Sequence, residues 1–332
     1  MTTLPPGAGA DHAAPPADHT PPPAVHAAPQ AVHAAPPADH AVPPADRTAP
    51  QAVGAPPPAV DASPLHFTVQ RDGRTASAAE LAPLAFSGYA HFTAMQVRRG
   101  RVRGLDLHLQ RLRHASEELF GRDLPDDRVL ACLRAPLEDG PADLSLTATV
   151  YSPAGEFTVA RPDADLEILV RTGQAASGPK GPLALATVPH ERFVPTVKHV
   201  GEPAKTYFLR QAVAQGFDDV AFVDRRGRLS EASIWNLAFW DGTAVVWPGP
   251  ETGMLSGVTM GIVRRRLDRL GVPQRVQEVT PADLSALAGC AVMNSWTPGV
   301  AVHRIGTAAL PDAPSFLDLL HRAYEAEPLV SL

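Results

Sequence analysis

Beyond residue 64 the chain alternates short apolar runs with longer runs that carry an apolar residue every three or four positions. The first kind reads as strand and the second as helix. Residues 66–70 and 74–75 flank Asp72-Gly73 and read as a hairpin. Residues 144–151, 166–171 and 244–247 read as strands. Residues 220–224 read as a buried strand, with a turn at Arg225-Arg226-Gly227, and a further strand carries Glu231 toward Asn236. His108 opens an amphipathic helix with Leu109, Leu112 and Leu119 near one face. Helices are also expected over 129–137 and over 205–214, where Gly216 supplies the stop. A last apolar-periodic run passes through Ile262, Val263, Leu267 and Leu270, with Thr259 as its N-cap and Gly271-Val272-Pro273 as its end. Strands and helices mixed in this order predict an α+β fold. The Gly/Pro/Ser-rich stretch T-G-Q-A-A-S-G-P-K-G-P divides it. The expected organisation is a small domain over 64–172, a linker over 173–182 and a larger domain over 183–332.

Residues 11–59 follow another rule. The chain repeats there every seven residues, in units such as DHAAPPA, VHAAPQA and DHAVPPA. A seven-residue period suits a coiled coil, but a proline in every unit breaks helices. No apolar side chain larger than valine is available for a core. Residues 1–63 are therefore expected to form a disordered tail, partly polyproline II. His12, His19, His26, His33 and His40 recur at unit spacing. With three residues per polyproline turn they rotate around the axis, which argues against a metal site.

Composition narrows the function. The 332 residues carry a formal net charge of −6, without basic clusters, which argues against a nucleic-acid partner. No apolar run is long enough for a membrane span. The N-terminus lacks the pattern of a signal peptide. Two cysteines, Cys132 and Cys290, suggest no disulfide framework. These features predict a soluble cytoplasmic enzyme with reduced thiols.

The candidate chemistry begins with scarcity, since the chain has only three lysines. Lys180 sits in the turn-rich G-P-K-G-P. Lys205 lies near a helix start, where a solvated face is expected. Lys198 alone has β-branched residues on both sides, Val197 and Val200. Glu231 follows 33 residues later on a neighbouring element. A lysine and a carboxylate so placed match the needs of pyridoxal 5'-phosphate (PLP): an amine for a Schiff base, and an acid for the ring nitrogen.

Here the chain resembles the class IV aminotransferases, PLP enzymes of fold type IV that include branched-chain and D-amino-acid aminotransferases and aminodeoxychorismate lyases. The family pattern E-x-S-x-x-N stands here as Glu231, Ser233 and Asn236, followed by Leu237, with Ala238 where an aromatic residue is usual. H-x-x-R-L stands as His108, Arg111 and Leu112. The family's L-x-G-I-T-R stands as Leu255, Gly257, Val258 and Thr259, with Met260 in place of the arginine. Asn294 and Ser295 fall where the family contacts the phosphate.

The resemblance implies a two-domain fold with a barrel-like sheet in the larger domain, a homodimer, and amino-acid and 2-oxo-acid substrates. It makes Lys198 the Schiff-base lysine, which also shuttles the α-proton, and Glu231 the partner of the pyridine nitrogen. Arg111, Gly257, Val258, Thr259, Asn294 and Ser295 become cofactor contacts, together with Asn236. One departure is Pro203, which stands where branched-chain members have a tyrosine for the cofactor's phenolic oxygen; Tyr207 lies four residues further on. The pair Lys198-His199 is similar to the lyase branch and keeps elimination of pyruvate open as an alternative. A degenerate cofactor-binding protein is a third reading, against which the intact Lys198 and Glu231 argue.

Overall fold

The computed structural model describes residues 67–155 and 165–332. The heptapeptide repeat lies outside the described residues. The first part of the chain folds as β1 (Thr68–Arg71), β2 (Arg74–Thr75), α1 (Ala78–Ala85), β3 (Ala90–Val97), β4 (Arg101–Arg103), α2 (Leu105–Phe120), α3 (Asp126–Glu138), β5 (Leu144–Tyr151) and β6 (Glu167–Gln174). The β1–β2 hairpin turns on Asp72 and Gly73, both at positive φ (49° and 75°), as a two-residue Asp-Gly turn requires. The sheet runs in the order β2-β1-β6-β5-β3.

Period-two alternation gives this sheet two different faces. Leu144, Leu146, Ala148 and Val150 of β5 join Met95 and Val97 of β3 against Leu112 of α2 and Leu133 of α3. The intervening residues, among them Phe92, Ala94, Thr147 and Arg171, lie on the opposite face. They form a cross-strand row in which Ala94 pairs with Thr147 and Thr147 with Arg171.

The second part continues with β7 (Leu183–Pro189), α4 (Pro203–Ala214), β8 (Asp219–Val223), β9 (Leu229–Ala232), β10 (Asn236–Trp240), β11 (Val245–Trp247), α5 (Val258–Arg269), β12 (Gln274–Val276), β13 (Gly289–Met293), β14 (Val300–Ile305), β15 (Ala308–Ala309), α6 (Pro314–Glu325) and β16 (Leu329–Ser331). Its strands run β10-β13-β14-β7-β8-β9, and β9 returns to β10 through the pair Asn236–Glu231. That pair closes the sheet into a barrel. Leu185, Leu229, Leu237, Phe239 and Val292 are fully buried in the core of this sheet. Met260, Val263 and Leu267 of α5 form another core cluster with Phe316 and Leu320 of α6. No helix among the described residues is long and apolar enough to cross a membrane.

Four helices start earlier than the sequence expectation: α3 at Asp126, α5 at Val258, and α2 and α4. α2 begins at Leu105, so His108 lies inside the helix, buried, with its Nδ1 2.6 Å from Thr93 Oγ1. Gly104 makes the earlier start possible. It adopts φ 66°, and a Cβ there would come 2.6 Å from Ile262 Cδ1 on α5. α4 begins at Pro203, whose fixed φ and missing N–H suit the first helical position.

Candidate active site

Between the row on the small sheet and the closure of the barrel lies a cavity of about 450 Å³. All nine candidate residues from the sequence line it. So do Arg171, Arg192, Glu202 and Lys205, which no motif singled out.

Lys198 does not follow a strand. Residues 191–197 form a loop whose turn holds Val194 at φ 51°, a strained value for a β-branched residue. Arg192 pins this turn by donating from Nη2 to the Val197 carbonyl (2.9 Å). The segment after the turn lies along the edge of β3. Phe92 N–H donates to Lys198 O, and Val200 N–H donates to Ala90 O, both at 2.9 Å. The Lys198 backbone is thus fixed by the small sheet while its side chain points into the cavity, with Nζ 4.8 Å from the centre of the Phe92 ring. Burial, and then the nearby charges of Arg111, Arg192 and Lys205, push its pKa down to about 7. Among the described residues no carboxylate forms an ion pair with it.

Glu231 is buried on β9 and Asn236 begins β10, so the barrel closure sets both. Lys205 corrects the sequence expectation. It is buried rather than solvated, and Nζ donates to Glu231 Oε1 at 2.7 Å. The reason is helical spacing. Lys205 stands three residues before Phe208 and seven before the buried Ala212, on the α4 face that packs against β8. That spacing was the one signal in the sequence that could have found it. Arg192 Nη1 also approaches Glu231 Oε1 (3.6 Å), and its Nη2 lies 3.3 Å from Glu202 Oε1. The two lysines of the cavity therefore differ: Lys205 is committed to a carboxylate and Lys198 is not.

Another wall of the cavity is built by α2 and α5. Arg111 donates from Nη2 to the Ser256 carbonyl (2.6 Å), and burial, with Arg192 nearby, lowers its pKa to about 10. The α5 N-cap is Gly257, not Thr259 as expected, and no side chain caps the helix. The first-turn N–H groups, including those of Val258 and Thr259, have no intrahelical acceptor. Thr259 turns its hydroxyl away from the cap and donates to the Asn294 carbonyl (2.8 Å), tying α5 to the segment after β13. Gly257 is required by a close approach: an added Cβ would overlap Asn236 Oδ1, while Asn236 Nδ2 donates to the Leu255 carbonyl (2.7 Å).

Asn294 uses its side chain locally, accepting at Oδ1 from Trp296 N–H (2.8 Å). Trp296 is not a core residue. It is 40% exposed at the cavity rim, edge-on to Trp235. Tyr207 is 59% exposed and does not line the cavity.

The cavity is lined by five lysine and arginine side chains and two carboxylates. Such an excess suits an anionic ligand. It also holds a lysine without an acid partner among the described residues, and an uncapped helix start beside an arginine. A family model for class IV aminotransferases matches residues 90–305, which span this whole arrangement. The chain belongs to the class IV aminotransferase family. Its members are PLP-dependent enzymes.

Solved aminotransferase structures share the fold. The branched-chain aminotransferase of Thermoproteus uzoniensis with norvaline matches over 78% of this chain and 94% of its own, at 18% identity and a TM-score of 0.68. A hypothetical aminotransferase from Mycobacterium tuberculosis in a PLP-bound form matches over 79% and 98%, at 21% identity and a TM-score of 0.64. An aminotransferase from Brucella abortus bound to PLP matches over 78% and 98%, at 19% identity and a TM-score of 0.68. No curated protein matches the chain.

Proposed function

We propose that this class IV aminotransferase transfers an amino group between an amino acid and a 2-oxo acid, with Lys198 as its catalytic lysine. The observation that carries the reading is that Lys198 and Glu231 line one cavity, and that Lys198 is the lysine there without a carboxylate partner.

The residues fit PLP. Arg192 Nε is buried with no hydrogen-bond acceptor among the described residues, a donor that a bound group would satisfy. Arg111 and the open N-terminus of α5 at Gly257, Val258 and Thr259 would hold the phosphate. Glu231, near Asn236, would hold the ring nitrogen. Asn294 and Ser295 would close the phosphate end. When bound, PLP supplies an aldehyde that takes up the amino group and a ring that withdraws electrons from the carbon losing its proton. Lys198 Nζ, with a pKa near neutrality, takes the substrate's α-proton and returns it.

Arg171 is assigned to the substrate's carboxylate. It sits at the end of the Ala94–Thr147–Arg171 row, its guanidinium stacked over the Phe67 ring (4.7 Å), with no acid partner among the described residues. The exposed apolar side chains of Ile234 and Trp296, which line the cavity, and of Phe193, next in the chain to the lining residue Arg192, support a homodimer in which a second copy covers them. Elimination of pyruvate gains no support from His199, whose Nε2 lies 2.8 Å from the Phe193 carbonyl and 3.1 Å from Glu202.

The test is a screen of amino donors and 2-oxo acceptors with the PLP-loaded protein, following formation of the new 2-oxo acid. The reading expects paired consumption of donor and acceptor. Release of pyruvate without an acceptor would overturn it in favour of a lyase.

A further inference from the structure

Glu231 has two oxygens, and the protein uses them unequally. Lys205 Nζ donates to Oε1 at 2.7 Å, and Arg192 Nη1 approaches the same oxygen at 3.6 Å. No described residue donates a hydrogen bond to Oε2, although the carboxylate lines the cavity. Lys205 is itself held in place, its stem on α4 and its ammonium 5.6 Å from the centre of the Phe222 ring. The pair is buried, with relative exposures of 7% for Lys205 and 5% for Glu231. A buried carboxylate bonded at one oxygen is restricted in its rotamers and keeps the other oxygen to offer.

We propose that Lys205 is a positioning residue: it grips Glu231 Oε1 so that Oε2 is presented to the ring nitrogen of the cofactor. This rests on the reading of the cavity as a PLP site. It also implies that the ring proton shares its carboxylate with a lysine, so that Lys205 weakens the pull of Glu231 on that proton. Arg192 is the other cation on Oε1, and Arg111 and Lys198 face the same space from α2 and the loop.

The experiment uses the full chain loaded with PLP and five proteins: wild type, Lys205→Met, Glu231→Gln, the double variant and, as the conservative control, Lys205→Arg. Borohydride reduction followed by peptide mass mapping locates the linked lysine. The pH midpoint of the visible absorbance, kcat, KM and Tm are then measured.

If Lys205 acts through Glu231, Lys205→Met keeps the cofactor on Lys198 and loses roughly 10- to 100-fold in kcat with little change in KM. Losing a nearby positive charge also raises the pH midpoint of the visible band. Lys205→Arg recovers most of both. In the Glu231→Gln background Lys205→Met costs almost nothing further in kcat, because the group it positions is gone. Removing both charges at once also leaves no unpaired ion, so the double variant serves where a single variant folds poorly.

Independent, multiplicative losses in the double variant overturn the proposal. So does a Lys205→Met protein with a lowered Tm but unchanged kcat and midpoint, which would make Lys205 structural. So, too, does mass mapping that finds the cofactor on Lys205. Failure of the parent reading looks different: wild type would develop no visible band with PLP, and borohydride would trap no lysine.

Discussion

Asn236 lies against the bare Cα of Gly257, so closely that a Cβ there would overlap its Oδ1. The contact joins the closure of the barrel to the start of α5. Gly257 has φ −69° and ψ 145°, which alanine adopts without strain. The effect of Gly257→Ala on stability therefore comes from displacing Asn236 and breaking its 2.7 Å bond to Leu255 O. We expect a loss of about 1–3 kcal/mol in stability, measured by urea denaturation. PLP affinity should weaken as well, measured by equilibrium dialysis.

Glu231→Gln removes the charge that Lys205 is paired with. Turnover should fall by roughly two to four powers of ten, about 3–5 kcal/mol in the transition state. The burial of Lys205 adds a second effect. Stranding a buried cation costs up to about 3–5 kcal/mol, so Tm should drop as well. A coloured protein of lower Tm and near-zero turnover is the expected outcome; near-normal turnover would remove Glu231 from the chemistry.

The pH dependence of cofactor capture follows from Lys198. The reactive form is the free amine, and its pKa is lowered from the ordinary lysine value to about 7, chiefly by burial. Below that pH the ammonium predominates, and the rate at which apo-protein takes up PLP should fall about tenfold per pH unit. Above it the rate should level off. Stopped-flow absorbance between pH 5 and about 9 reads this directly. Lys198→Ala should show neither the visible band nor a borohydride-reducible linkage to the protein.

Arg171→Ala tests the substrate assignment. Losing a charged hydrogen-bonding partner of a carboxylate is worth about 1.5–3 kcal/mol, so KM should rise by roughly 10- to 100-fold. Tm should stay nearly the same, because the side chain is exposed and lies over the Phe67 ring. An unchanged KM for every carboxylate substrate would place the anchor elsewhere.

Arg111→Ala should weaken PLP binding and leave the linkage to Lys198 intact once PLP is saturating. The loss expected for one charge-assisted contact is about 1.5–3 kcal/mol in affinity. Inorganic phosphate, added as a competitor, should displace PLP less effectively from this variant than from wild type.

Many of the elements and the family pattern are legible in the chain itself, although α1 and α6 are not, and the strand read through Glu231 and Asn236 is two strands, β9 and β10. Alternation fixes β5 at Leu144–Tyr151, Asp72-Gly73 fixes the first hairpin, and Glu231, Ser233 and Asn236 with His108, Arg111 and Leu112 carry the class IV pattern. These signals are local, because backbone geometry is set by neighbours within a few residues. What joins Lys198 to Glu231 is not local. It takes the bonds of Lys198 and Val200 to β3 and the Asn236–Glu231 pair that closes the barrel. Lys205 shows the difference most plainly. Its helix was legible and its partner was not, since only the packing of α4 on β8 brings its ammonium to Glu231. Whether a charged side chain faces water or a carboxylate depends on which surfaces meet, and that is decided by tertiary structure.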